Sequence, residues 1–367
     1  MAKHHDHWLV RFAEIAAKSD KLKGNPDHIP LLTAGMLGEC GSVIAELKKE
    51  QRDREAYPRY LSRMMEEVGD FTWYFIRLVT ELAPTLLREL STAKPASTKL
   101  VRPTQRFLLF GGAVSRLLEV LGESNHKPSK AFASQAVDVW KHLLSIARQE
   151  HIDLQAATSD NLAKTQSRWP EDRKFLPLFD EDYDPEEQLP RKLTVDFLDR
   201  TRGAHSVVVL RCNGINFGDR LTDNIEDPDG YRYHDVFHFA HAVYLGWSPV
   251  VRALLRTKRK SVPKKDEGQD GARAIILEEA VSAIVFNRAK QLNYFDGIPT
   301  VDFDLLKLVH EFVAGYEVEK VPMWQWEVAI QEGYRLFRLL RNNKGGTLTL
   351  NLKTRQLKYR PLHKPHR

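Results

Sequence analysis

Cysteine is nearly absent. Only Cys40 and Cys212 occur in 367 residues, far apart and without metal-ligand spacing, so neither a disulfide framework nor a thiolate zinc site is available. A reducing compartment follows, and the expected location is cytoplasmic. Also lacking is any run approaching the roughly eighteen consecutive apolar residues of a membrane span, and the opening MAKHHDHW has no hydrophobic signal core. No membrane partner is expected. Charge of one sign is not in large excess: 55 basic against 49 acidic side chains leave a formal +6. With 42% hydrophobic and 28% charged residues, the composition is that of a globular chain and excludes extended disorder. No short-period repeat suggests a solenoid.

What is present falls into two halves. Apolar residues recur at three- and four-residue intervals through Ile29 to Glu50, Tyr60 to Leu82, Thr104 to Gly122 and Lys130 to His151, the mark of amphipathic helices. Pro58, Pro103 and Pro128 stand at or just before helix starts, where a missing N–H costs little. An all-α bundle over 1–170 is predicted. Between 171 and 191 the chain turns acidic and proline-rich, with Pro177, Pro185 and Pro190. That composition predicts a linker, parts of which dock through their aromatic and leucine side chains.

Residues 192–367 are predicted to be α+β, making the whole chain mainly α. KLTVDFL and SVVVLRCNGINFGDRL read as strands with turns at Asn213-Gly214 and Gly218-Asp219. Helices are expected at Tyr233 to Leu255, Ala272 to Gln291, Val301 to Tyr316 and Pro322 to Arg341, followed by a terminal hairpin. The basic run Arg256, Lys258, Arg259, Lys260, Lys264 and Lys265 reads as a solvated loop or a phosphate contact, and leaves a nucleic-acid partner open.

Two constellations carry chemistry. In the first half, Glu39 and Glu46 lie on nearly one helix face, and Glu67 and Asp70 share a face of the next helix. Stacked like charges repel, and oxygen ligands of this type favour Mg2+ or Mn2+; exposed helix acids give the same spacing. Gly35, Gly38, Gly41 and Gly69 sit inside these helices at about 1 kcal/mol each relative to Ala, which points to close approach of another helix or a ligand. In the second half, His234, His238 and His241 align at i, i+4 and i+7 with Asp235 beside the first. With Glu278 or Glu279 they offer either transition-metal ligands or a phosphate contact; three separately satisfied histidines would fit the spacing too.

GECGSVIAELKK followed by EEVGDFTWYF resembles the MazG-like all-α nucleoside triphosphate pyrophosphohydrolases, whose signature is E-x-x-E on one helix and E-x-x-D on the next. NLAKTQSRWP resembles the family's closing N-x-x-K-x-x-x-R element. The resemblance implies Mg2+-dependent hydrolysis of a nucleoside triphosphate to the monophosphate and pyrophosphate, serving house-cleaning or control of the nucleotide pool. Glu39, Glu67 and Asp70 would be catalytic and metal-holding, with Glu46 a further ligand, and Asn161, Lys164 and Arg168 would hold the phosphates. A homo-oligomer, dimeric in the way of similar enzymes, is implied as well. One departure stands out: Ser42 occupies the place of the second glutamate of E-x-x-E, so a nucleotide sensor with reduced turnover is the alternative. Phe71, Trp73 and Tyr74 are either base-stacking or core. NGINFGDRLTDN, DGYRYHDVFHFAHAVYLGWSPV and DGARAIILEEAVSAIVFNRA resemble the dedicated C-terminal domain of two-domain bacterial MazG-like proteins, for which the resemblance implies no activity. An HD-like phosphohydrolase centred on His234, Asp235 and His238 is the third reading.

Overall fold

The computed structural model describes residues 8–97, 102–202 and 205–362; the MAKHHDH opening lies outside them. The chain divides into two compact units at Trp169 and Pro170. It is mainly α, with an α+β second half.

The first unit consists of α1 (Trp8–Ser19), α2 (His28–Asp53), α3 (Tyr60–Leu82), α4 (Leu87–Thr92), α5 (Pro103–Glu123), α6 (Lys130–Gln149) and α7 (Leu154–Arg168). The predicted periodicities all become helices, and α1 and α4 are additions too short to be marked by their pattern alone. His28–Ala56 is long and apolar enough to cross a membrane by length and composition. Here its buried stripe, Leu32, Met36, Cys40, Val43 and Leu47, packs against α3. Phe71 is fully buried and meets Phe110 of α5 edge-on at 4.9 Å. It is therefore core and offers no face to a base.

Capping fixes where α7 begins, and with it the face that α7 shows to α3. Asp153 Oδ1 accepts from the N–H groups of Gln155 and Ala156 at 2.9 and 3.2 Å, satisfying two of the helix's orphan donors. The approach of α7 to α3 is so close that a Cβ on Gly69 would stand 2.6 Å from the Ala157 carbonyl oxygen. Gly35 similarly receives the ring of Tyr74, 2.2 Å from where its Cβ would be. The expectation of close approach fails at Gly38 and Gly41, which meet nothing within 4 Å; they sit on the exposed side of α2.

The second unit is built on one antiparallel sheet of order β3-β2-β1-β4-β5. The strands are β1 (Lys192–Arg202), β2 (His205–Cys212), β3 (Ile215–Leu221), β4 (Gly345–Asn351) and β5 (Gln356–Arg360). The terminal hairpin adds to the edge of β1, pairing Lys192 with Asn351 and Leu198 with Gly345. Between the strand groups run α8 (Asp235–Ala240), α9 (Pro249–Leu255), α10 (Pro263–Gly268), α11 (Ala272–Gln291), α12 (Phe303–Phe312) and α13 (Met323–Asn342). Helix α13 packs against both β4 and α8, and Val195, Phe197, Leu348 and Leu350 share one buried core with Phe237, Tyr334 and Phe337.

Three expectations need correction here. The single helix Tyr233 to Leu255 is broken: α8 passes into a π-helical turn, His241–Leu245, and Gly246 takes a left-handed φ of +69°. Helix α9 then restarts with Ser248 as its cap and Pro249 in the first turn. The acidic 171–191 segment belongs with the second unit, its Leu178 and Leu189 buried in that core. Asp180, fully buried, holds Arg252 Nη2 and the Leu189 N–H, each at 2.7 Å. The basic run, finally, is not uniformly solvated. Arg259 is fully buried, donating through Nη2 to Asp270 and to Glu317, each at 2.6 Å.

The two kinds of glycine predict opposite outcomes. Gly69→Ala should destabilise the protein by about 1–3 kcal/mol, since a backbone carbonyl cannot retreat cheaply. Gly41→Ala should stabilise it by about 0.5–1 kcal/mol, because only helix entropy is at stake. Denaturant midpoints of the two variants, measured side by side, check both signs.

Candidate functional site

Helices α2 and α3 bring Glu39, Glu67 and Asp70 together, with one carboxylate oxygen of each within 4.8 Å of the others. All three are half-buried. The charge balance comes from α7. Lys164 Nζ donates to Asp70 Oδ1 and Oδ2 at 2.6 and 2.5 Å and to Glu66 Oε1 at 3.4 Å. Asn161 Nδ2 donates to Asp70 Oδ1 at 2.6 Å. Lys164 is four-fifths covered; burial alone would pull its ammonium pKa down, but Asp70 and Glu66 outweigh that and raise it.

Glu39 shows what the arrangement costs. Its carboxyl is pushed up from 4.5 to about 7, first by burial, then by the charges of Asp70 and Glu67 and by a hydrogen bond to Glu67. Such a group asks for a cation. A half-buried cluster of oxygen donors suits a hard divalent ion, Mg2+ or Mn2+, better than zinc.

Other sequence-chosen residues lie elsewhere. Glu46 is buried, but its carboxylate takes Lys49 Nζ at 2.5 Å and the Tyr57 hydroxyl. It anchors the turn after α2 and does not join Glu39, as two turns of helix along one axis would lead one to expect. Arg168 is one turn beyond Lys164, its guanidinium carbon 4.7 Å from the Trp169 ring centre. Trp73 and Tyr74 are partly buried against the core and meet edge-on. Glu66 was missed by sequence reasoning. It accepts from Arg63 at 2.9 Å as well as from Lys164, and its only signal was the doubled glutamate before Val68.

In the second unit the histidines do converge. His234, Asp235 and His238 each place a ligand atom within 4.8 Å of the others, and so do His238, His241 and Glu278. All of these residues are buried. Burial keeps His234 below the usual imidazole range, whereas for His238 the charges of Glu278 and Glu279 outweigh burial and push it well above.

The family model of the MazG C-terminal domain matches residues 174–363, the second unit almost from its first residue and more than half the chain. The chain belongs to the MazG C-terminal domain family. It is a MazG-like protein with a dedicated C-terminal domain. No curated protein and no solved structure matches it. The family match thus covers the histidine cluster of this MazG-like chain, while the carboxylates stand upstream of it.

The raised Glu39 carboxyl gives a signed pH dependence. Below about pH 4.5 it is protonated in folded and unfolded chains alike; between 4.5 and about 7 only the folded chain keeps the proton, so stability falls as pH rises through that window. In metal-free buffer Glu39→Gln should therefore match the parent at pH 4.5 and melt higher at pH 8. Equal melting temperatures at both pH values would remove the like-charge cost from Glu39.

Proposed function

We propose that the first unit is a nucleotide pyrophosphohydrolase that cleaves nucleoside triphosphates between the α and β phosphates with the help of Mg2+ or Mn2+. The observation that carries this reading is the meeting of Glu39, Glu67 and Asp70 from two helices under a lysine and an asparagine from a third, in a chain of the MazG family.

Glu39, Glu67 and Asp70 would hold the ion, which when bound polarises phosphate oxygens and makes water more acidic. The water oxygen bonds to the α phosphorus, and the bridging oxygen departs with pyrophosphate. Asn161 positions Asp70: its Nδ2 fixes Oδ1, so the carboxylate does not swing away. Lys164 would turn its ammonium from Asp70 toward the phosphates, where it would stabilise the negative charge of the leaving pyrophosphate. Arg168 would join it by leaving its stack on Trp169. A homodimer belongs to the same reading, because Leu37 of α2 and Leu108 of α5 are exposed at 49% and 64% and a second copy would cover them.

One observation favours binding without efficient turnover. Ser42 stands one helical turn after Glu39, and three carboxylates converge where the resembling signature carries four acids. In that reading the first unit senses nucleotides.

Pyrophosphate release from a panel of nucleoside and deoxynucleoside triphosphates, with Mg2+ or Mn2+, tests both. Glu67→Gln and Asp70→Asn should each cut turnover on the order of 10²-fold or more while leaving helicity intact. Lys164→Ala should raise KM and lower kcat together, because a cation at the leaving group acts in the ground state and more strongly in the transition state. Undiminished turnover in the carboxylate variants would exclude those residues. Activity that appears only after Ser42→Glu would select the sensor.

A further inference from the structure

The second unit holds a set of donors that its own hydrogen bonds leave unused. His234 Nδ1 lies 2.9 Å from the Tyr231 carbonyl oxygen. A carbonyl can only accept, so Nδ1 carries the hydrogen and Nε2 presents its lone pair on the opposite side of the ring. On that side stand Asp235 Oδ1 at 3.3 Å and Glu279 Oε2 at 3.8 Å. His238 Nε2 lies 3.4 Å from Glu279 Oε1.

His238 is the decisive residue. It is fully buried, and neither ring nitrogen has a hydrogen-bonded partner among the described residues. Glu278 Oε1 comes within 3.1 Å of its Nδ1 without hydrogen-bond geometry, and Glu278 is already committed. That carboxylate takes His241 Nδ1 at 3.0 Å, Ser248 Oγ at 2.8 Å and the Val250 N–H at 2.9 Å. An imidazole this buried, met only by carboxylates that lie off its hydrogen-bond directions, is costly, and its ring shares one cluster with the ligand atoms of His234 and Asp235.

The spacings fit one ion. Donors about 2.1 Å from a tetrahedrally held metal stand about 3.4 Å from one another. Three separations among these residues, 3.3, 3.4 and 3.8 Å, lie near that value, the last two on different oxygens of Glu279, and the ligand atoms of His234, Asp235 and His238 lie within 4.8 Å of one another. Histidines at i and i+4 on one helical face are a known way to hold zinc, and imidazole with carboxylate suits zinc-like transition metals more than Mg2+.

We propose that His234, Asp235, His238 and Glu279 form a mononuclear site for a divalent transition metal of the zinc class, distinct from the carboxylate cluster of the first unit. Glu278 and the Tyr231 carbonyl act behind the ligands, orienting the imidazoles. His241 stands behind the ligands: its Nδ1 donates to Glu278, the carboxylate that also meets His238. Glu279 is the ligand that reaches solvent, its side chain 39% exposed, and so it is the side from which an ion enters.

The test uses the full chain carrying Glu67→Gln and Asp70→Asn, so that the first unit cannot supply the metal. After chelator treatment, Zn2+ is titrated and bound metal counted by elemental analysis, with Co2+ as an optical probe of coordination. One equivalent should bind, Mg2+ in excess should not displace it, and Co2+ should give the visible bands of a low-coordinate nitrogen–oxygen site. Adding Glu279→Gln, a change at the exposed rim, should weaken Zn2+ binding tenfold or more without altering the circular dichroism of the metal-free protein. His234→Gln should abolish the Co2+ bands. Absence of micromolar or tighter Zn2+ binding, or binding undiminished in a folded Glu279→Gln chain, would overturn the assignment.

Discussion

Glu39, Glu67 and Asp70 bring like charges into one another's range, and α7 is what makes that tolerable. Lys164 spans both oxygens of Asp70 and reaches Glu66; it can do so because Gly69 lets the Ala157 backbone lie against α3. A side chain at position 69 would move the ammonium outward along with the helix. The capping of α7 by Asp153 serves the same end, since it sets the phase in which Asn161 and Lys164 face α3. What remains unbalanced weighs on Glu39, whose carboxyl is pushed up to about 7 by burial and by the charges of Asp70 and Glu67. The one lysine of α7 thus covers Asp70 closely and Glu66 at longer range.

The second unit separates structural charge from functional charge by the same criterion. Arg252 and Arg259 are as buried as His238, but their guanidinium groups are met by Asp180, Asp270 and Glu317 and by the carbonyls of Glu187, Thr257 and Phe179. That network gives each guanidinium at least one carboxylate and a backbone carbonyl. It ties the 171–191 segment to the helices and gives the domain its compact start. The cluster around His238 is open: charge is present, donors converge, and among the described residues the central ring, though paired with Glu278 and Glu279, makes no aligned hydrogen bond. Buried ion pairs are weak evidence of function, whereas a buried ligand-type atom without a partner is stronger evidence.

Features whose cause is local were legible in the sequence. Periodic apolar residues bounded by proline or a cap gave α2, α3, α5, α6, α11 and α13 nearly to their ends, and Asn213-Gly214 marked the β2–β3 turn. Glu67, Asp70, Asn161 and Lys164 were readable because helical spacing fixes which side chains share a face. Features that depend on distant chain segments were not. Nothing near Glu46 says that the Tyr57 hydroxyl will claim it, and nothing near Arg259 announces Asp270 and Glu317. Gly38 and Gly69 look alike in the sequence, but only one has a neighbour. The pairing of β1 with β4 joins strands with six helices between them, a contact no local pattern encodes.

Ser42 bears differently on the two readings of the first unit once the chemistry of the ion is considered. Mg2+ demands near-octahedral geometry but dehydrates reluctantly, and commonly binds through one or two carboxylates while keeping several waters. Three converging carboxylates already meet that need, so a serine in place of a further acid changes the share of water around the ion more than the capacity to hold one. It also removes one negative charge from a cluster in which Glu39 is already pushed toward neutrality, easing the repulsion that a fourth acid would worsen. The cost falls on charge neutralisation: a site with fewer anions binds the cation more weakly and relies more on the triphosphate itself to complete the coordination. On this argument the serine fits the proposed hydrolase if its ion were to arrive with the nucleotide and not stay bound between turnovers.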